Sequence, residues 1–138
     1  MSTNGIGEHA RSGVETMERE HALEIQMVRD LQAALAAGDG AAASALFERL
    51  EEFTNAHFLA EQLLMRLHAY PAYVAHQEEH DRLIAELRDL RQTLESTEAP
   101  ADPAAAVARL ERWLYAHMQS SDASLADFLE RPGPVATD

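Results

Sequence analysis

Residues 57–80 read HFLAEQLLMRLHAYPAYVAHQEEH, and two spacings inside that stretch decide the fold. His57 and Glu61 are four apart, and so are His76 and His80. In a helix each such pair projects from one face, about one turn apart. Between the pairs, Tyr70-Pro71 breaks the helical pattern, because proline lacks a backbone donor and restricts the residue before it. Two helices therefore meet at a turn, each carrying two ionisable side chains on an otherwise apolar stripe. The first stripe reads Leu46, Leu50, Phe53, His57, Ala60, Leu64 and Leu67. The second reads Tyr73, His76, His80, Leu83, Leu87, Leu90 and Leu94.

Outward from this hairpin the same periodicity continues. Val14, Met17, His21, Glu24, Val28, Leu31 and Leu35 define an earlier helix, expected over about residues 13–37 and closed by Gly38, with Asp39 as the N-cap of the next. After the polar run 95–101, Asp102 suits a cap and Pro103 a first helical position, and the fourth helix is expected to run to about Glu130. Short links between four helices predict an all-α, up-down-up-down four-helix bundle. Residues 1–12 are expected as a flexible N-terminal arm, 13–130 as the bundle, and 131–138 as a C-terminal tail.

With 138 residues the chain builds one core rather than two. A formal net charge of -13 disfavours nucleic acid and anionic membrane surfaces as partners. No apolar run is long enough to span a bilayer and the N-terminus lacks the apolar core of a signal peptide, so the expectation is a cytoplasmic protein. The absence of cysteine excludes disulfides, thiolate metal sites and iron–sulfur clusters. Any metal must be held by imidazole and carboxylate.

Each helix contributes to one such set. Helix one carries His21, helix two His57 and Glu61, helix three His76 and His80, and helix four His117 and Asp122. Counted along antiparallel helices at about 1.5 Å per residue, all seven fall within a layer one to two turns thick. Buried without partners, each would cost several kcal/mol, on the order of the desolvation penalty of a polar or charged group. A metal centre removes that cost. His9 in the arm and His68, about 16 Å along the axis from His57, fall outside the layer and are expected at the surface.

Five imidazoles and two bridging carboxylates leave three positions on a pair of octahedral ions. A shared oxide or hydroxide leaves one, which suits a small diatomic ligand. Zinc, manganese and copper also accept these donors, so spacing alone does not select iron.

The chain resembles the bacteriohemerythrins over about residues 13–130. The matching residues are His57-Phe58, Glu61, Met65, Tyr70-Pro71, His76 and His80, then Trp113-Leu114-Tyr115-Ala116-His117 with Asp122, and more weakly Met17 to His21. The resemblance implies two iron ions, oxo- or hydroxo-bridged. His76, His80 and His117 would hold one, His21 and His57 the other, and Glu61 and Asp122 would bridge. It implies dioxygen binding at the open position of the second iron, for storage, transport, delivery or sensing, and so an oxygen-binding protein more than an enzyme. The alternative is a di-iron redox enzyme acting on peroxide or nitric oxide.

The spacing of five between His117 and Asp122 leaves the two side chains about 140° apart on an ideal helix. A one-residue π-bulge would restore a common face, and is predicted there. The resemblance maps the ligand pocket onto Glu24, Phe58, Trp113, Leu114 and Met118. Of these, Phe58, Trp113 and Leu114 fit its apolar character, and Met118 fits as adaptable filling. Glu24 departs, standing where the family usually has leucine. Either it turns to solvent at a helix interface, or it caps the open position or donates a proton to the bound ligand. Gln62 departs from a common glutamate and is expected to affect only the surface.

Overall fold

The computed structural model describes residues 3–96 and 102–131, with side chains from residue 10 onward. Helix α1 spans Thr3–Ala36, α2 Gly40–Leu67, α3 Tyr73–Glu95 and α4 Pro103–His117; a π-helical turn, Met118–Asp122, leads directly into α5, Ala123–Glu130. With α4 and α5 taken as one interrupted rod, four rods pack α1 on α2, α2 on α3, α3 on α4 and α4 back on α1. This is the expected bundle, and the described residues contain no strand.

The local signals act as their chemistry requires. Gly38 takes φ +71°, and the amides of Gly38 and Asp39 bond the carbonyls of Leu35 and Ala34, the paired bonds of a Schellman ending. Asp39 then accepts from the Ala42 amide and opens α2, as Asp102 accepts from Ala105 ahead of Pro103. Helix α2 ends the same way on Ala69, which is left-handed at φ 53° although it carries a Cβ. Pro71 lies in this turn and α3 begins two residues later.

Two expectations need correction. Helix α1 starts at Thr3 rather than near residue 13, so the expected arm is helical from that point. Ala10 and Val14 give its early turns a packing surface against Met17, Met65, Leu125 and Leu129. The expected C-terminal tail lies outside the described residues apart from Arg131. The inward line of α2 is also rotated. Ala43, Phe47, Leu50, Thr54, His57, Phe58, Glu61 and Met65 are buried, whereas Ala60 is exposed and Leu67 is 72% exposed. Leucines occupy several sides of α2, Leu59 and Leu63 lying exposed, so apolar content alone left its phase undetermined.

The core is split in two. One cluster joins Val28, Leu31, Phe47, Leu50, Leu83, Leu87, Val107 and Leu110; the other is the group around Met17 and Met65. Between them lies a buried polar layer.

Candidate metal centre

The layer contains all seven sequence-predicted residues. Glu61 and Asp122 sit at its middle, and each divides its two oxygens between the same two groups of imidazoles. Glu61 Oε2 lies 2.8 Å from His57 Nε2 and 3.4 Å from His21 Nε2; its Oε1 lies 3.2 Å from His76 Nε2 and 3.0 Å from His80 Nε2. Asp122 Oδ2 lies 2.9 Å from His21 Nε2, while Oδ1 lies 2.9 Å from His76 Nε2 and 3.1 Å from His117 Nε2. Two ligand-competent groups result, sharing both carboxylates. One is His21, His57, Glu61 and Asp122, and the other is Glu61, His76, His80, His117 and Asp122.

These contacts are at ion-pair distance, yet several lack hydrogen-bond geometry. Nε2 of His57, His80 and His117 and both oxygens of Asp122 are buried without a hydrogen-bond partner. Orphaned polar atoms of this kind are rare and costly inside proteins. Their clustering within the two ligand-competent groups fits cation coordination, which would satisfy them together.

The π-turn is what admits Asp122. It inserts the extra residue between His117 and Asp122 and returns the latter to the bundle interior, 2% exposed, with Leu125 and Leu129 continuing the buried line. Ser121, on the same turn, donates to both oxygens of Glu79 at 2.8 and 2.7 Å. Glu79 in turn accepts from His117 Nδ1 at 2.8 Å, and Glu20 accepts from His57 Nδ1 at 2.8 Å. A carboxylate on Nδ1–H fixes the tautomer that leaves Nε2 free for a metal and holds the ring in place.

Sequence reasoning missed Glu20, Glu79 and Ser121. Gln62 requires correction: its amide lies 3.2 Å from His80 Nδ1, so it supports a ring of the centre rather than only the surface. The amide nitrogen stands nearest Nδ1, and the tautomer with Nδ1 protonated requires the amide to turn its oxygen there instead.

Without metal the layer is an ion-pair network. Burial works to lower His21, His57 and His76, but contacts with Asp122 and Glu61 at His21 and His76, and with Glu61 and Glu20 at His57, outweigh it, raising His21 to about 10 and the other two to about 9. Burial also dominates at His80, which falls below its ordinary value. Burial opposes ionisation of Glu61 and Asp122 as well, yet the surrounding imidazoles hold both carboxyls below their usual range. Burial likewise opposes Glu79, where Ser121 and His117 prevail and lower it.

The pocket residues lie beside this layer. Phe58 stacks on His80 at 3.7 Å between ring centroids, and Trp113 stacks on His117 at 5.6 Å. Leu114 is buried, and half-buried Met118 packs on the larger core cluster. Glu24 does not turn to solvent: it is 1% exposed and its Oε2 accepts the Thr54 hydroxyl at 2.6 Å. Burial raises its pKa, against the lowering effect of Thr54. His68 is half-buried at the C-cap of α2 and belongs to neither ligand group; the side chain of His9 lies outside the described residues.

The family profile described as the Hemerythrin HHE cation binding domain matches residues 12–129. The chain is 27% identical over 115 residues to a protein of Stenotrophomonas maltophilia named bacteriohemerythrin, covering 83% of this chain and 74% of that one. It is also 27% identical over 116 residues to a bacteriohemerythrin of Pseudomonas aeruginosa, covering 84% and 74%. No solved structure matches the chain significantly.

Proposed function

The chain belongs to the hemerythrin HHE cation-binding family, and on that premise we propose that it is a non-haem di-iron protein that binds dioxygen. In this reading His76, His80 and His117 hold one iron, His21 and His57 hold the other, and Glu61 and Asp122 serve both. The observation that carries it is that each carboxylate turns one oxygen toward members of the His76, His80 and His117 group and the other toward His21, which Glu61 shares with His57. The two-imidazole side has fewer protein donors and so keeps the position for an external ligand. Ferrous ions held there would supply the electrons that reversible binding of dioxygen draws on.

The chain's own residues account for the rest. Glu20 and Glu79 aim His57 and His117 inward through their Nδ1–H groups. Phe58 and Trp113 cover the faces of His80 and His117, while Leu114 and Met118 complete an apolar flank. The functional unit is the bundle over residues 13–130.

One observation favours a second reading, in which a redox enzyme consumes peroxide or handles nitric oxide. Glu24 is buried one turn beyond His21, where an acid can deliver a proton to a bound ligand. Anaerobic reconstitution with ferrous iron, followed by addition and removal of dioxygen, separates the two. A visible absorption band that appears and disappears reversibly supports carriage or sensing. Irreversible bleaching with consumption of added peroxide supports the enzyme, and failure to bind iron refutes both.

A further inference from the structure

Two clefts open beside the centre, on opposite seams of the bundle. The cleft over α3 and α4, about 240 Å³, is lined by Glu79, Arg82, Trp113, Ala116, His117 and Ser120. The cleft over α1 and α2, about 200 Å³, is lined by Thr16, Met17, Glu20, Ala60, Glu61 and Leu64, with Ser12 and Gly13 at its edge. Both are roomy enough for a hydrated ion, since one water needs only about 10–15 Å³.

Their chemistry differs. The α3–α4 cleft carries Arg82, and the Trp113 indole lies flat over the His117 ring behind it. A cation entering there meets one carboxylate, Glu79, which is already engaged by Ser121 and His117, and beside it a like charge and an apolar cover. The α1–α2 cleft is lined by two carboxylates and no basic residue. Glu20, with 30% of its side chain exposed, stands at the rim and holds His57 Nδ1–H. Glu61, with no side-chain exposure, forms the floor and touches four imidazoles of the centre. His21, next in sequence to Glu20, has 17% side-chain exposure and is the one member of the set of seven that is not fully buried. The opening itself is a product of small side chains. Ala60 is exposed at the mouth, and Gly13 lets Leu64 seal the far end, where an added Cβ would stand 2.6 Å from a Leu64 methyl.

We infer that the α1–α2 cleft is the loading port of the metal centre, with Glu20 the first carboxylate an incoming divalent cation meets and Glu61 the second. The inference rests on the metal-centre reading above. The chain's net charge of -13 enriches cations around the protein, and a cleft lined by carboxylates focuses them. The ion exchanges its waters for Glu61 and the imidazoles, which lose their protons to solvent as they ligate it.

The test follows cobalt(II) uptake by the full-length apoprotein through its visible absorption, and release to an excess of chelator. Ala60→Trp fills the mouth of the port, and Thr16→Phe fills it from the facing helix if the first variant folds poorly. Ala116→Trp fills the opposite cleft. Ala60→Trp is expected to slow uptake and release by the same factor, at least about tenfold, the low end of what a focusing cleft contributes to association. Affinity and final stoichiometry then stay unchanged, and Ala116→Trp loads at the wild-type rate. Wild-type rates in both port variants, or equal slowing by Ala116→Trp, overturn the port. An apoprotein that takes up no metal at equilibrium overturns the metal-centre reading instead.

Discussion

Removing the Glu79 carboxylate tests whether the side chains behind the imidazoles shape the centre. Glu79 accepts one hydrogen bond from His117 Nδ1 at 2.8 Å and two short contacts from the Ser121 hydroxyl. In Glu79→Ala both donors lose their protein acceptor, and His117 loses what holds its tautomer. Losing a partner of this kind typically costs about 10–100-fold in metal affinity, or roughly 1.4–2.8 kcal/mol at 1.4 kcal/mol per decade. Glu79 keeps 29% side-chain exposure, so water replaces part of the loss and the low end, about tenfold, is expected. Alanine is a good helix former, so α3 itself is not weakened. The control is Glu78→Ala, which removes the same charge from an exposed neighbour. Chelator competition against cobalt(II) should show weakening of one of the two binding steps in Glu79→Ala and of neither in Glu78→Ala. Because Glu20 serves His57, Glu20→Ala should weaken the other step. Equal affinities in the Glu79 and Glu78 variants would refute the argument.

Glu24→Leu should slow irreversible oxidation of the dioxygen-bound protein by at least about tenfold, since a positioned acid is commonly worth 10²–10⁴ in rate; an unchanged autoxidation rate rules out proton donation by Glu24. His21, His57 and His76 have pKa values raised to about 10, 9 and 9 from 6.5, so their contribution to apoprotein stability is complete below 6.5 and lost as pH rises through 9–10. Glu61 and Asp122 are depressed, so their contribution is present above the ordinary carboxylate range and lost as pH falls through their folded values. Thermal melts of the apoprotein should therefore fall at both ends of the pH range, while metal affinity rises with pH through the upper window because protons must leave the imidazoles. A pH-independent melting temperature would contradict the network described. Ala69→Gly should stabilise the protein by about 1 kcal/mol, because a left-handed alanine carries a Cβ penalty of roughly 1–2 kcal/mol; denaturant midpoints of the two proteins measure it.

The four-helix bundle, the caps at Asp39 and Asp102, and the seven-residue layer were legible in the sequence, because each depends on residues three or four apart or on a local turn. Even the π-turn was legible: His117 and Asp122 could share a face only if one extra residue entered the turn. The phase of α2 was less so. Its leucines lie on several sides, and the inward line settled on Phe58, Glu61 and Met65 rather than Ala60 and Leu67 only when α1 and α3 closed on it. The residues behind the imidazoles were not legible at all. Glu20 reaches His57 across 37 positions and Glu79 reaches His117 across 38, and neither glutamate lies on the apolar stripe of its helix, so nothing in the helical period pointed to a partner on another helix.

Sequence alone thus determined the four-helix pattern, the depth of the polar layer and which ionisable side chains fill it, since period and spacing are properties of a single helix. Only the tertiary structure decided how Glu61 and Asp122 apportion their oxygens, that Glu24 faces inward onto Thr54, and that a carboxylate-lined cleft reaches Glu61 between α1 and α2. Those outcomes depend on the rotation of each helix about its own axis and on its approach to its neighbours. Packing of all four rods sets both together.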